Sequence, residues 1–590
     1  MLSLLDKHWR LRTEITGEQR QLTRSAGLHP LFAPIIAHRG LDTSEQIERY
    51  LRPVLGHLID PLGLTDMERA VERLVRMLDQ GEPCAIFGDY DVDGVTSSAL
   101  LYRYFSALGH PPRIYIPDRL AEGYGPNGPA LRRLHAEGIR VVITVDCGIT
   151  AFEALEEAAL VGLEVIVTDH HQARETLPHA VAVINPNRSD DRFAGKELAG
   201  VGVAFYLAMA LNRALRERGW FAGKRREPDL KGLLDLVAIG TIADVASLTG
   251  LNRTLTTAGL RAMAQPGGMK AGLSALMATS RLSGSLSAGQ VGFQIGPRLN
   301  AGGRLGQGML GAQLLITDDP EQAGQIAQTL EGFNQERQAL ERRIQAEAIA
   351  FVESRGLLER SLGLVVTGEG WHPGVVGIVA SRLMERYFRP VVVVATDGAG
   401  GGKGSARSIP GVDLLAAVEA CAVHLQFFGG HRAAAGMTLI PGHLEAFIEA
   451  FDQAVRLKND LALFQPALRV DGEIAFEGID LELVGRIERL QPFGRGNPEP
   501  LWVARDVRVL DSRNLNDRHV KCQLADSRDR VVDAIAFGVL PGPLGQGLLR
   551  PEGRLDVAGT LSINRYQHRE RVQFLIKDAR LASGVRLEAG

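Results

Sequence analysis

Apolar and polar positions divide the chain into regions of different period. Up to about Arg52 the pattern marks short helices and an extended arm. From about Leu64, short runs that are apolar throughout (84–88, 113–116, 140–145, 164–168 and 180–184) alternate with stretches of helical period such as 96–108 and 150–161. Unbroken apolar strands separated by helices predict a parallel sheet covered on both faces. Residues 195–214 and 231–248 read as further helices. The Gly- and Arg-rich segment Gly296-Pro-Arg298-Leu-Asn300-Ala-Gly-Gly-Arg304 reads as a loop. A long helical pattern over 320–354, with Glu, Arg and Gln outward, predicts a rigid connector between two lobes, with Glu331-Gly332 able to bend. A second α/β unit follows: strand 363–367, helix 375–387, strand 390–395, then Phe428-Gly-Gly-His431 and a helix near 443–455. Beyond Leu468 the runs are short and β-like (501–509, 520–524, 531–537, 555–561, 572–576), as in a small barrel of the OB type.

The 590 residues suggest three or four domains at about 150 residues each. Hydrophobic content of 45% and charged content of 23% belong to ordinary globular proteins. A net charge of −3 does not announce a nucleic-acid binder, so any basic surface must be local. The four cysteines, Cys84, Cys147, Cys421 and Cys522, form no C-x-x-C pair, which argues against a zinc knuckle or a disulfide framework. Met1 to Arg24 mixes acids and bases, and no apolar stretch reaches membrane length, so a cytoplasmic protein is expected.

Three acidic clusters follow apolar runs: Asp89-Tyr-Asp91-Val-Asp93-Gly94, Asp146-Cys-Gly148 and Asp169-His170-His171. Open parallel sheets place their sites at the C-terminal strand ends, where all three clusters fall. Asp89, Asp91 and Asp93 alternate, so on a strand end they would point the same way. Like charges so close call for a divalent cation with oxygen ligands. A calcium loop or a solvated turn is the lesser alternative: the twelfth position, counted from Asp89, is Leu100 and not an acid, and a strand precedes the cluster. His170 and His171, adjacent on extended chain, are expected to differ in role, one a ligand and the other beside it or facing a phosphate. Mixed carboxylate and imidazole ligands fit Mn²⁺ or Mg²⁺ with bridging carboxylates, and two such ions clamp the attacking and leaving oxygens of a phosphodiester. Asp244, in an apolar helical stretch, needs a metal or a buried basic partner. Arg298, Asn300 and Arg304 among glycines suit phosphate, as do Ser405 and Arg407 in Gly404-Ser405-Ala-Arg407-Ser408. Trp502, Tyr566 and Phe574 are aromatic candidates for stacking bases, or for the barrel core.

With these motifs in view, the chain resembles the DHH phosphoesterase superfamily, and within it the single-strand-specific 5′→3′ exodeoxyribonucleases that carry a DHHA1 domain. The likeness also takes in Ile242-Ala-Asp244, Gly296-Pro-Arg298-Leu-Asn300, Gly370-Trp371-His372-Pro-Gly374 and Pro492-Phe-Gly-Arg-Gly-Asn497-Pro-Glu-Pro500. It implies an N-terminal arm (1–62), a parallel-sheet DHH catalytic domain (63–260), a helical region with the connector (261–358), a smaller α/β DHHA1 domain (359–458) and an OB barrel for DNA (459–590). It implies metal ligands at Asp91, Asp93, Asp146, His170 and Asp244, with His171 at the site. Many superfamily members have a His where Phe87 stands, and Asp89 is expected to supply a ligand instead. Ser405, Arg407 and Arg119 would contact the 5′-phosphate, with His431 near the substrate. Asp118 replaces an Asn common in such chains. The implied protein uses two Mn²⁺ or Mg²⁺ ions on single-stranded DNA with a 5′ end; a monomer is the default expectation, since the sequence carries no signal for an oligomer seam. Single-strand-binding protein and a repair helicase are its implied partners. The alternatives are a DHH phosphodiesterase for short oligonucleotides or cyclic dinucleotides and a non-catalytic replication scaffold.

Overall fold

A computed structural model describes residues 2–119, 121–223, 225–265, 267–397, 400–566, 569–582, 584 and 587–589, the side chains of Tyr566, Glu588 and Ala589 excepted. The first strand, β1 (His8–Leu11), belongs to one compact unit made of Met1–Ile47, Glu336–Arg489 and Pro500–Gly590. The other unit is Glu48–Gln335 with Leu490–Glu499.

The second of these units is built on a five-stranded sheet in the order β3 (Arg113–Tyr115), β2 (Cys84–Gly88), β4 (Val141–Val145), β5 (Glu164–Thr168), β6 (Ala182–Ile184). Every pairing is parallel. β2 and β4 are buried along their whole length, because both faces of the sheet are covered. One face packs on Met67–Gln80, Val92–Ala107, Gly200–Glu217 and Leu234–Ala243 through a large apolar core that includes Ile86, Ile143, Leu100 and Val237. The other face buries Phe87, Val142, Leu131 and Leu155 under two shorter helices. The chain order reverses between β2 and β4, which opens a crevice at their C-terminal ends.

Two segments depart from expectation. Gly296–Arg304 is a helix, not a loop, entered through a π-helical turn at Val291–Ile295. Its glycines serve close packing: a Cβ at Gly303 would lie 2.6 Å from the Tyr90 carbonyl, and one at Gly302 2.6 Å from that of Gln307. Asp89, Asp91 and Asp93 do not alternate on a strand. β2 ends at Gly88, Asp91 caps the helix Val92–Ala107, and Asp93 lies in its first turn.

Pro320–Ser354 is one helix of 35 residues, along which the division between the units falls at Gln335/Glu336. The other unit contains a mixed sheet in the order β10 (Leu425–His431), β11 (Ala434–Leu439), β9 (Gly402–Arg407), β8 (Val391–Thr396), β7 (Leu364–Glu369). Only β7 and β8 are parallel. Ser405 and Arg407, read as suited to phosphate, lie on strand β9. Further on, β1 pairs in parallel with β12 (Ala467–Val470), and β13 (Gly472–Ile474) adds to a closed barrel of β14 (Trp502–Leu515), β15 (His519–Ala525), β16 (Val531–Ala536), β17 (Leu555–Tyr566) and β18 (Arg569–Leu581). β19 (Glu588–Ala589) pairs with the far edge of β1. Closure through β14–β17 leaves the barrel no free edge there. Trp502 and Phe574 are fully buried and offer no face to a base; the Tyr566 side chain lies outside the described residues. All four cysteines are free and buried.

Candidate metal centre

Five loop or helix ends converge at the crevice. Asp89 and Asp91 follow β2, Asp146 follows β4, and His170 and His171 follow β5. Asp93 comes from the helix Val92–Ala107, and Asp244 stands at the C-cap of Leu234–Ala243. Asp91 Oδ1 accepts from the Asp93 and Gly94 amides at 2.9 and 3.1 Å, an N-cap that fixes its rotamer. Asp93 accepts from the amides of Gly200 (2.7 Å) and Val201 (2.9 Å), the first residues of the helix Gly200–Glu217. Glycine is required at two close approaches. A Cβ on Gly200 would sit 2.8 Å from Asp146 Cβ, and one on Gly240 2.9 Å from Asp93 Oδ1. Backbone strain collects here too: Asp146 has φ +59° and Val245, next to Asp244, also +59°. A β-branched residue in that region is a true outlier, of the kind found at functional sites.

The donor atoms form three overlapping groups, each within 4.8 Å: Asp89, Asp91 and Asp146; Asp93, His170 and Asp244; Asp146, His170 and His171. Asp146 belongs to two of them. His170 Nε2 is 3.1 Å from Asp146 Oδ1, 3.8 Å from Asp93 and 4.0 Å from Asp244. Burial first, then neighbouring carboxylates, raises the acid pKa values: Asp93 to about 7, Asp244 to about 8, and Asp89 and Asp146 well above the ordinary range. Burial and the adjacent His171 lower His170 to about 4, which leaves a neutral imidazole with a lone pair. For His171 burial is outweighed by the Asp169 carboxylate, 2.8 Å from Nδ1, and the ring rises to about 9. Asp169 also accepts from the amides of Ile149, His170 and His171, so it orients the histidines and stays ionised itself.

Buried Asp89 Oδ1, Asp146 Oδ1 and His170 Nε2 have no hydrogen-bond partner. Orphaned acceptors pointed at one another are costly unless a cation sits among them. The donor set therefore fits divalent metal.

The expected substrate residues fall in two places. Around the metal centre, the Arg119 guanidinium lies 5.0 Å over the Tyr90 ring. Because 296–304 is helical, Asn300 and Arg304 share a face. Arg298 turns away from them into an ion pair with Glu331 at 2.5 Å. Ser405, Arg407 and His431 lie in the other unit. Arg407 Nη1 donates to Ser405 Oγ at 3.2 Å, and His431 and Arg407 sit in one row across β11 through Ala434.

Three residues escaped the sequence reading. The Tyr124 hydroxyl donates to the Asp146 carbonyl at 3.1 Å and lies 3.2 Å from His171 Nδ1. The charge of Arg495 works against the raised pKa of Asp244, and its carbonyl accepts from Leu248 at 2.8 Å. Gly200 lets Asp146 approach. The glycine-rich Arg495 segment was legible as a motif, but not its place beside Asp244.

Family models describe residues 83–241 as the DHH family N-terminal domain, 361–457 as the DHHA1 domain and 470–578 as the RecJ OB domain. The single-stranded-DNA-specific exonuclease RecJ of Dickeya dadantii is 38% identical over 566 residues, covering 93% of this chain and 96% of that one. That of Escherichia coli is 37% identical over 96% and 99%. The chain belongs to the RecJ family. Among solved structures, RecJ of Thermus thermophilus in complex with Mn²⁺ matches with TM-score 0.81 and 30% identity, covering 99% of this chain and 80% of that one. An exonuclease RecJ bound to manganese matches with TM-score 0.57 and 35% identity, over 69% of this chain and all of the other. Metal in these RecJ structures agrees with the donor set here. No helix among the described residues is long and apolar enough to cross a membrane.

Proposed function

We propose that this RecJ-family chain is a metal-dependent exonuclease that hydrolyses single-stranded DNA from its 5′ end to mononucleotides. The observation that carries the reading is the set of three overlapping ligand groups, linked through Asp146 and His170, with buried ligand atoms left without a hydrogen-bond partner. Asp89, Asp91 and Asp146 would hold one divalent ion, and Asp93, His170 and Asp244 the other. Bound there, Mn²⁺ or Mg²⁺ supplies Lewis acidity and an acidified water for attack on phosphorus. The chain's own residues prepare the reaction. The Gly200 and Val201 amides fix Asp93, and Asp169 fixes both histidines. His171, half exposed and tied through Nδ1, keeps Nε2 for a phosphate oxygen. Arg119, Asn300 and Arg304 are assigned to the strand beside the metals, with Arg298 tied to Glu331 and steadying their helix. Ser405, Arg407 and His431 are assigned to the terminal phosphate, where a guanidinium matches the anion in a fork.

The domain extents 63–260, 359–458 and 459–590 are proposed as DHH, DHHA1 and OB domains. The protein is proposed to be a cytoplasmic monomer, and the family likeness supports single-strand-binding protein and a repair helicase as its partners. The test uses Mn²⁺ and three 5′-phosphorylated substrates labelled at the 3′ end: a long single strand, a blunt duplex and a dinucleotide. Progressive shortening of the long strand with the duplex spared is expected, and Asp146→Ala should abolish it while strand binding persists. Cleavage of the dinucleotide alone would move the function to small substrates. Turnover by Asp146→Ala would remove the metal assignment.

A further inference from the structure

The sheet β10-β11-β9-β8-β7 has two unlike faces. One face, with Ala406, Ala435, Met437 and Leu439, is core, and Phe428 packs partly on it. On the opposite face the helix Pro373–Tyr387 covers β8 and β9, and a Cβ on its Gly377 would lie 2.9 Å from Ser405 Oγ and 3.3 Å from Arg407 Nη2. The outward positions of β9 and β11 follow from their alternating burial: Lys403, Ser405 and Arg407 on β9, and Ala434, Gly436 and Thr438 on β11. Register sets them in three rows with β10: Phe427–Thr438–Lys403, Gly429–Gly436–Ser405 and His431–Ala434–Arg407.

β10 is the edge strand, and Phe427 is 67% exposed on it. Its direction is built in. Leu425, two residues earlier, is buried and pairs with Leu439 on the core face, so regular alternation would bury Phe427 as well. A bulge between Leu425 and Phe427 moves Phe427 opposite Thr438 and turns it outward. The fold thus gives up the burial of a phenyl ring to place it on the face that carries Lys403, Ser405 and Arg407. Between the ring and Ser405 the floor is flat: a Cβ on Gly436 would meet nothing within 4 Å, and one on Gly429 only the Phe427 ring, at 3.8 Å. Phe427 lies two strands across and one row along from Ser405, about 12 Å between backbones. The sugar and base of the strand's first nucleotides cover that reach.

The geometry points to Phe427 as a stacking platform for a nucleobase near the 5′ end of single-stranded DNA, over the Gly429–Gly436 floor, with Lys403, Ser405 and Arg407 facing the phosphates. This assignment rests on the proposed placement of the terminal phosphate at Ser405 and Arg407. A π-face accepts any base, so the platform would grip the strand without reading its sequence.

The experiment measures Kd by fluorescence anisotropy with metal-free protein, where no hydrolysis intervenes. The probes are 5′-phosphorylated single strands, intact or with one abasic nucleotide at position one, two or three. Loss of one base–aromatic stack corresponds to a weakening of about 5- to 150-fold. For the wild type one abasic position is expected to cost that factor. Phe427→Ala should bind the intact strand weaker by the same factor and lose the abasic penalty, and Phe427→Trp should restore both. Removal of an exposed ring leaves the core untouched, and an unchanged Tm checks this. Wild-type affinity in Phe427→Ala, or an abasic penalty that survives the substitution, would overturn the platform. Failure of the exonuclease reading shows separately, as a wild type that binds the strand and does not shorten it with Mn²⁺; Kd then still decides the stacking.

Discussion

Gly240→Ala puts the packing behind the metal centre to a sharp test. The added Cβ would lie 2.3 Å from Thr96 Oγ1, 2.8 Å from Val201 Cγ1 and 2.9 Å from Asp93 Oδ1. Thr96 and Val201 are fully buried and Asp93 nearly so, so none of them can swing outward. Thr96 Oγ1 is held further by the carbonyls of Val92 (2.8 Å) and Asp93 (3.1 Å). Ordinary contact therefore requires the helices Val92–Ala107 and Leu234–Ala243 to part by about 1 Å. Overpacking of this kind costs about 1–3 kcal/mol, and replacing a mid-helix Gly by Ala returns about 1 kcal/mol. The net loss is about 0–2 kcal/mol, a shift of a few degrees in Tm. Activity should suffer far more. Asp93 is displaced from the Gly200 and Val201 amides, and about 1 Å of misplacement costs on the order of 100-fold in rate. Single-turnover hydrolysis of single-stranded DNA with Mn²⁺, read beside a thermal melt, separates the two effects. Thr96→Ala with Gly240→Ala removes the shortest clash and should recover much of the rate. A Gly240→Ala protein with activity within about threefold of wild type would show that Asp93 is not held as described.

Two further outcomes are expected. Asp93 and Asp244, raised to about 7 and about 8 in the metal-free protein, hold protons at pH 6 that a metal must expel, whereas His170 at about 4 is already neutral. Apparent Mn²⁺ affinity should therefore climb by at least about 1,000-fold from pH 6 to 9, with the raised Asp89 and Asp146 carboxyls adding to the rise; calorimetry in buffers of different ionisation enthalpy counts the released protons, and a pH-independent affinity would remove these carboxyls from the ligand set. Trp9→Phe deletes the 3.0 Å Nε1 bond to buried Asp578, and denaturant unfolding should show a loss of about 1–3 kcal/mol; unchanged stability would mean that the carboxyl finds another donor.

What the sequence made legible follows from periodicity. The strands 84–88 and 164–168 and the helix 320–354 were read at their observed ends, since apolar runs and a sustained helical period are local signals. The acidic clusters were legible because charge at the end of a buried strand has few structural explanations. The segment 296–304 was misread because three of its nine residues are glycines, which local preference assigns to loops. Two of them are there to let backbone touch backbone, a tertiary cause that propensity cannot register. The geometry of Asp89, Asp91 and Asp93 was misread for a related reason: a helix starts earlier than its apolar period reveals, because the carboxylate of Asp91 starts it. β9 was obscured by its glycines, and the outward turn of Phe427 depends on a bulge that exists only in register with β11.

The strand His8–Leu11 sets a timetable for synthesis. Its partner Ala467–Val470 leaves the ribosome more than 450 residues later. At about 5–20 residues per second that is roughly half a minute to a minute and a half. Through all of it Trp9 has neither its sheet nor the Asp578 acceptor, which comes later still. A nascent β-strand with an indole and two unsatisfied edges is a template for the wrong partner. His8–Leu11 thus spends most of synthesis open to chaperone capture, and is paired on both edges only after the last strand has emerged.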